Sequence, residues 1–167
     1  WTIKKLIMFH VILFNPQIPP NTGNIIRLCA NSGAKLHLIK PLGFNLNNTN
    51  LRRANMDYEE IQNINLYENV DECFKNNEFN DIFALTKYAK KNAFSKKFLP
   101  NDAFIFGSET AGLPKDLLKN ISNDKKIRIP MLENIRSINL SNSVSIIIYE
   151  AWRQNNFFKA QEHFEKN

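Results

Sequence analysis

The sequence predicts an α/β fold, an open and mainly parallel sheet with helices on both faces. Three observations carry this. Short apolar runs rich in strand formers alternate with stretches of helical spacing. Residues 8–39 read as strand, helix, strand, the rhythm of a βαβ unit. Glycine- or proline-punctuated loops follow Phe14, Phe106 and Ile129. Ligands in open α/β sheets sit at the carboxyl ends of the strands, so these loops are expected to converge on one cleft.

Residues 8–14 form the first apolar run, ended by Asn15-Pro16 and the turn-forming Pro19-Pro20. Thr22 is the expected N-cap of a first helix, Ile25, Ile26, Leu28 and Cys29 its apolar face, and Gly33 its stop. Residues 36–39 give the second strand. The asparagine-rich segment 41–58 contains Arg52 and Arg53 and is long for an α/β connection, and such insertions are more often functional than not. Residues 71–77 read as a short amphipathic helix and 81–86 as a strand. Residues 87–97 read as a loop carrying Lys87, Lys90, Lys91, Lys96 and Lys97, interleaved with Tyr88, Phe94 and Phe98. A charge run is ordinarily a solvated face; with interleaved aromatics it also suits RNA.

Residues 103–106 are the next strand, leading into GSETAGLP. There Gly107 and Gly112 allow close backbone approach or positive φ, Glu109 supplies a carboxylate, and Pro114 starts a helix reaching Asn120. A short strand at 127–129 stops at Pro130, and a polar turn spans 133–137. Asn139, Ser141 and Asn142 then offer side-chain oxygens to the first turn of a helix carrying Val144, Ile147, Ile148 and Ala151 at helical spacing. Ile146, Tyr149 and Trp152 lie off that stripe. The helix is therefore expected to be covered by more than one neighbour, its own sheet or a second subunit.

A chain of 167 residues is enough for one domain with a sizeable core, expected over residues 8–155. Residues 1–7 are expected to be an extended or non-native start and 156–167 a tail. Hydrophobic residues make up 43% and charged residues 23%, the balance of a soluble globular protein. No run approaches membrane-spanning length, and KKLIMFHVILF lacks the small-residue site of a signal peptide. The net charge of +6 favours a polyanionic partner. Lysine outnumbers arginine 16 to 6, so the arginines are informative: they fall in or beside the stretches that read as functional, where a planar fork suits phosphate or carboxylate. Cys29 and Cys73 read as core residues of a reducing compartment. His10, His37 and His163 show no metal-site spacing, and no metal is expected.

The dinucleotide and P-loop fingerprints are absent, and no histidine is placed by motif to activate a serine. What remains is a backbone-rich cleft with arginine, glutamate and asparagine, suited to a cofactor that carries its own reactive group.

NPQIPPNTGNIIRLCANSG, FGSETAGLP and IRIPMLENIRSINLSNSVSIIIYEAWRQ resemble, in order and spacing, the three signature blocks of SPOUT-class methyltransferases. With LRRANMDYEE between the first two, the resemblance extends to the small members acting on the wobble cytidine or uridine of leucine tRNAs. It implies a C-terminal deep trefoil knot, S-adenosylmethionine as cofactor, a cytoplasmic homodimer, and an anticodon stem-loop as substrate. By matching positions, Leu85, Thr86, Gly107, Glu109, Ile129, Ser137 and Leu140 would hold the cofactor. Asn21, Arg27, Glu109 and Asn139 would face the ribose, and Arg52, Arg53, Lys90, Lys91 and Tyr149 the RNA. A guanidinium is essentially always protonated, so Arg27 is expected to stabilise a developing alkoxide rather than act as a base. Two alternatives are a ribosomal-RNA methyltransferase of the same fold and a noncatalytic RNA-binding module. Intact Arg27, Glu109 and Asn139 argue against the latter.

Overall fold

The computed structural model describes residues 8–46 and 64–161. Among these, the strands are β1 (Phe9–Phe14), β2 (Lys35–Ile39), β3 (Asn65–Tyr67), β4 (Ile82–Leu85), β5 (Lys91–Asn92), β6 (Asp102–Phe106) and β7 (Lys126–Arg128). They form one sheet in the order β3-β2-β1-β6-β4-β7-β5 with every pairing parallel. The helices are α1 (Pro19–Ser32), α2 (Val70–Lys75), α3 (Lys115–Lys119) and α4 (Leu140–Gln154).

Strand alternation sorts the core into two layers. Phe9, Val11, Leu13, Phe104 and Phe106 face the cluster containing Ile25 and Ile26 of α1 and Val144, Ile147 and Ile148 of α4. Ile12, Ala84 and Ile105 face the other way, toward Cys73 and Phe74 of α2 and Leu117 of α3. The central strands are thus buried on both faces, which is why β1 and β6 read as continuous apolar runs rather than alternating ones.

Several local expectations are corrected. Helix α1 begins at Pro19 with Ile18 as N-cap, four residues before the expected cap at Thr22. Proline's fixed φ and missing N–H suit the first turn, so Pro19-Pro20 opens the helix instead of forming a separate turn. Thr22 lies inside the helix, fully buried, and its hydroxyl lacks a partner among the described residues. Gly33 does end α1, at φ 76°, its N–H donating to the Cys29 carbonyl. Pro114 is the N-cap of α3 and Lys115 its first residue. Residues 87–97 are more than a loop, since they contain β5 and a 3₁₀ turn at Ala93–Ser95. Strand β3 has no counterpart in the sequence reading, because three residues carry too little periodicity to register.

The sheet order also contains a threading step. Residues 86–90 connect β4 to β5, and the chain then returns to β6 on the far side of β4 before β7 enters between β4 and β5. The last strand is inserted into a circuit already closed, the arrangement of the trefoil knot, and departs from the usual avoidance of threaded connections. After β7 the chain turns into α4, which packs along α1. The far end of α4 grips the rim of the circuit. Gln154 donates to the Lys96 carbonyl (2.9 Å) and accepts from the Phe98 N–H (2.8 Å), and Asn155 donates to the Phe98 carbonyl (3.1 Å).

The apolar stripe of α4 is covered within its own subunit. Ile147 and Ile148 are fully buried, and Trp152 is 9% exposed. Trp152 donates its indole N–H to the Phe158 carbonyl at 3.1 Å and packs edge-on against Phe157, so residues 155–160 fold back as a lid over the helix rather than as a loose tail. Of the two coverings expected for this helix, its own subunit supplies the one over Ile147, Ile148 and Trp152.

Candidate active site

The loops following β1, β4, β6 and β7 open from the carboxyl ends of parallel strands and enclose a cleft of about 540 Å³. The loop after β6 is a tight return. Gly112 N–H donates to the Ser108 carbonyl at 3.0 Å, Ser108 and Gly112 pair as an antiparallel bridge, and Gly112 takes φ 66°. A Cβ on Gly107 would lie 2.1 Å from the Gly112 carbonyl carbon and 2.4 Å from the Leu113 nitrogen. Gly107 is thus required by the loop's own closure, before any ligand is considered.

A chain of side chains ties three of these loops together. Asn139 is the N-cap of α4: its Oδ1 accepts from Asn142 N–H (3.3 Å) and Ser141 Oγ (2.6 Å), while its Nδ2 donates to Asn21 Oδ1 (3.0 Å). Asn21 Nδ2 in turn donates to Glu109 Oε1 (3.4 Å). The Glu109 carboxylate also accepts from the backbone N–H of Gln17 (2.8 Å) and Ile18 (3.1 Å). These N–H groups stand at the start of α1, where Ile18 has no side chain to serve as a cap. A carboxylate from about ninety residues further on accepts both N–H groups, and the helix dipole favours its charge there. Glu109 is therefore a fastener between the first and second loops.

All the expected cofactor residues, Leu85, Thr86, Gly107, Glu109, Ile129, Ser137 and Leu140, line the cleft, as do Asn21 and Asn139. Arg27 does not. It lies six residues beyond Asn21 on α1, about 9 Å along the axis and a third of a turn round, on an exposed position. Lys90 is exposed just before β5 and Lys91 within it, and Tyr149 is 43% exposed on α4 with its ring edge-on to Trp152. Arg52 and Arg53 lie outside the described residues. Phe98, expected among the aromatics of the lysine segment, is 1% exposed and packs on Phe83 and Phe104, so it belongs to the core. Lys96 is drawn from the cationic run into an ion pair with Asp124.

Sequence reasoning named Tyr88 as an aromatic of the lysine segment and Arg128 and Arg136 only as arginines near functional stretches, and it missed Met131 and Ser143; all five also line the cleft. The signal for the arginines was their scarcity. The signal for Tyr88 was its place in the lysine run, and no pattern marked Met131 and Ser143, whose place at the cleft is decided by loop geometry.

The walls are apolar at Leu85, Phe106, Ile129 and Leu140, with glycine backbone between them. A cleft of this size and lining accommodates a small organic cofactor. Its carboxylate already accepts from two backbone N–H groups and one side-chain amide. Burial pushes the thiols of Cys29 and Cys73 up to about 12, so neither serves as a nucleophile. No group of three or more potential metal-ligating side chains occurs among the described residues. A larger hollow of about 670 Å³ between α2 and α3, lined by Phe74, Phe79 and Leu117, contains none of the candidate residues.

Comparison with known proteins agrees with this geometry. Residues 8–149 match the model of the SpoU rRNA Methylase family. A tRNA (cytidine(34)-2'-O)-methyltransferase of Methylovorus glucosotrophus is 47% identical over 150 residues, 90% of this chain and 97% of the relative. A solved Bacillus anthracis protein superposes with a TM-score of 0.84 at 42% identity, covering 93% of this chain and 99% of the other. A structure described as giving insights into 2-OH methylation of C/U34 on tRNA superposes at 0.82 with 34% identity, over 90% of this chain and 97% of the other.

Proposed function

Since the chain belongs to the SpoU rRNA methylase family, we propose that it is an S-adenosylmethionine-dependent methyltransferase acting on the ribose 2′-hydroxyl of cytidine 34 in tRNA. The observation that carries this reading is the cleft itself. Apolar walls and glycine backbone meet the Asn139–Asn21–Glu109 chain at the carboxyl ends of the strands, and every expected cofactor residue is on its lining.

Leu85, Ile129 and Leu140 hold the cofactor by apolar contact, while Thr86, Gly107 and Ser137 offer backbone and hydroxyl groups. S-adenosylmethionine, when bound, supplies an already activated methyl group, so the protein's task is to place and activate the nucleophile. Asn21 and Asn139 hold the loops at fixed spacing around the ribose site, a positioning contribution that lowers the entropic part of the barrier. Arg27 stabilises negative charge on the 2′-oxygen as its proton passes to a phosphate oxygen of the RNA.

Arg27 lies off the lining of its own subunit's cleft, so this role assigns it to the cleft of a second copy. The homodimer is thereby part of the proposal. Its support is Arg27's position together with exposed Leu132 (83%) and Ile135 (57%) on the loop after β7, with Tyr149 on α4. The buried stripe of α4 plays no part. The finer substrate is cytidine or uridine 34 of leucine tRNAs in the cytoplasm, with Arg52, Arg53, Lys90 and Lys91 holding RNA phosphates.

Incubation with labelled S-adenosylmethionine and total tRNA, followed by mass mapping, tests the reading. Ribose methylation at nucleotide 34 is expected, enriched in leucine tRNAs. Label at a base or at another position would overturn the substrate, and no transfer to RNA would overturn the activity.

A further inference from the structure

We propose that Tyr88 is the stacking platform for the base of the target nucleotide, holding it at the mouth of the cleft once it leaves the anticodon stack. This rests on the reading of the protein as a wobble-ribose methyltransferase and names a subsite within it.

The aromatics of the lysine segment separate cleanly in the structure. Phe98 is in the core, and Phe94 is 45% exposed but does not line the cleft. Tyr88 alone of these three both lines the cleft and presents its ring to solvent, at 78% exposure. Its position is built rather than incidental. Thr86 N–H donates to the Ile127 carbonyl at 3.1 Å, anchoring the turn to β7. The Thr86 hydroxyl then accepts from Tyr88 N–H at 3.3 Å, and the Thr86 carbonyl from Ala89 N–H at 3.2 Å. A side chain that closes a turn in this way fixes the direction of the residue at its tip. Thr86 lines the cleft itself, so one residue sets both the inner wall and the aromatic above it.

The ligand chemistry follows from what surrounds the ring. Lys87 Nζ stands 5.2 Å from the ring centroid, and Lys90 and Lys91 are exposed on the following residues. An exposed aromatic flanked by lysines matches an unpaired nucleotide, the ring taking the base and the ammonium groups the phosphates. The base shares a ribose with the reacting hydroxyl. A ribose seated in the cleft mouth therefore places its base at the rim, where Tyr88 stands. The residues that would hold the cofactor are the less exposed apolar ones of the cleft wall, and an aromatic as exposed as Tyr88 is poorly placed to cover it.

The test compares an anticodon stem-loop RNA carrying cytidine 34 with the same RNA made abasic at that position. Binding to wild-type protein and to Tyr88→Ala is read with S-adenosylhomocysteine present. Tyr88→Ala is expected to lose roughly 5- to 150-fold in affinity for the intact loop. The two proteins should bind the abasic loop alike, and Tyr88→Trp should restore the intact loop. Equal weakening toward both RNAs, or no weakening toward either, overturns the proposal. A parallel fall in S-adenosylhomocysteine affinity also overturns it, by making Tyr88 a cover for the cofactor. Methyl transfer by the wild type is scored in parallel samples of the same intact loop with S-adenosylmethionine in place of S-adenosylhomocysteine: binding without transfer to nucleotide 34 defeats the functional reading while leaving the stacking result to stand on affinity alone.

Discussion

Asn139 Nδ2 donates to Asn21 Oδ1 at 3.0 Å, joining positions 118 residues apart and fixing the start of α4 against the start of α1. The same Asn139 caps its own helix through Oδ1. Asn139→Ala should therefore cost about 1–2 kcal/mol of stability from the cap alone. Cofactor affinity should fall as well, because the third loop loses its tie to the first. A double-mutant cycle with Asn21→Ala, read by S-adenosylhomocysteine calorimetry, should show coupling. Strictly additive losses would mean that the bond does not hold the cleft together.

Gly107→Ala should be damaging without any ligand. The new methyl group meets backbone atoms of Gly112 and Leu113, which cannot rotate away as a flexible side chain would. Strain of about 1–3 kcal/mol, or opening of the 107–113 return, is expected. Hydrogen exchange at Gly112 N–H in the cofactor-free protein measures it. Unchanged protection would leave only a steric role toward the cofactor.

Arg27→Lys should keep cofactor affinity, since Arg27 is not part of the cleft lining. Turnover should drop by about 10²–10³, because a point charge does not reproduce the planar fork at the developing alkoxide. Near wild-type turnover would reduce Arg27 to a phosphate anchor.

Sharing of sites between copies has its own test. Arg27→Lys and Asn139→Ala proteins, each impaired alone, are co-expressed and the mixed dimer isolated. A cleft served by the partner's arginine leaves one intact site per mixed dimer and restores activity. Restoration absent in a confirmed mixed dimer, or an active monomer in sedimentation, would reject the arrangement.

Acid should weaken the fold through a buried histidine pair. Asn101 Nδ2 donates to the Glu78 carbonyl, so Asn101 Oδ1 accepts from His10 Nε2 (2.8 Å). His10 Nδ1 then accepts from His37 Nε2 (2.9 Å), and His37 Nδ1 from the Tyr67 hydroxyl (2.9 Å). This neutral arrangement satisfies every partner, and a proton on either ring breaks it. Burial first, then the charges of His10 and Lys35, lowers His37 to about 3, and burial lowers His10 as well. In the unfolded chain both titrate near 6.5, so below that pH the unfolded state binds protons the folded state refuses. The contribution is complete above pH 6.5. As pH falls toward about 3 it is lost, at about 1.4 kcal/mol per pH unit for each histidine still neutral in the fold. Urea unfolding across this range should show the slope, and His37→Gln should flatten it. A wild-type profile without slope below pH 6.5 would refute the assignment.

Much of the architecture was legible in the chain. The apolar runs of β1, β2, β4, β6 and β7 are each found within a residue or two, because strands buried on both faces need no context to read as apolar. Gly33 and Asn139 were readable as helix ends because their roles are local, a positive φ and a side-chain oxygen three residues from an unpaired N–H. Thr22 was misplaced because its chemistry suits a cap, whereas the cap position falls on Ile18, whose N–H is met by Glu109 from a distant loop. Phe98 and Phe94 have the same residue type and nearly the same neighbours in sequence, yet one is core and the other surface.

By itself, then, the sequence determined the alternation of strand and helix, the loops that end the strands, and through its three blocks the family and its chemistry. Each of these depends on residue type and spacing along the chain. Only the tertiary structure decided that α4 is satisfied within its own subunit, that Glu109 fastens the first helix, and that Arg27 stands off the cleft while Tyr88 stands at its mouth. Those are relations between segments tens of residues apart, set by threading β7 between β4 and β5, and local propensity has no term for a contact whose partner arrives only when the sheet has closed.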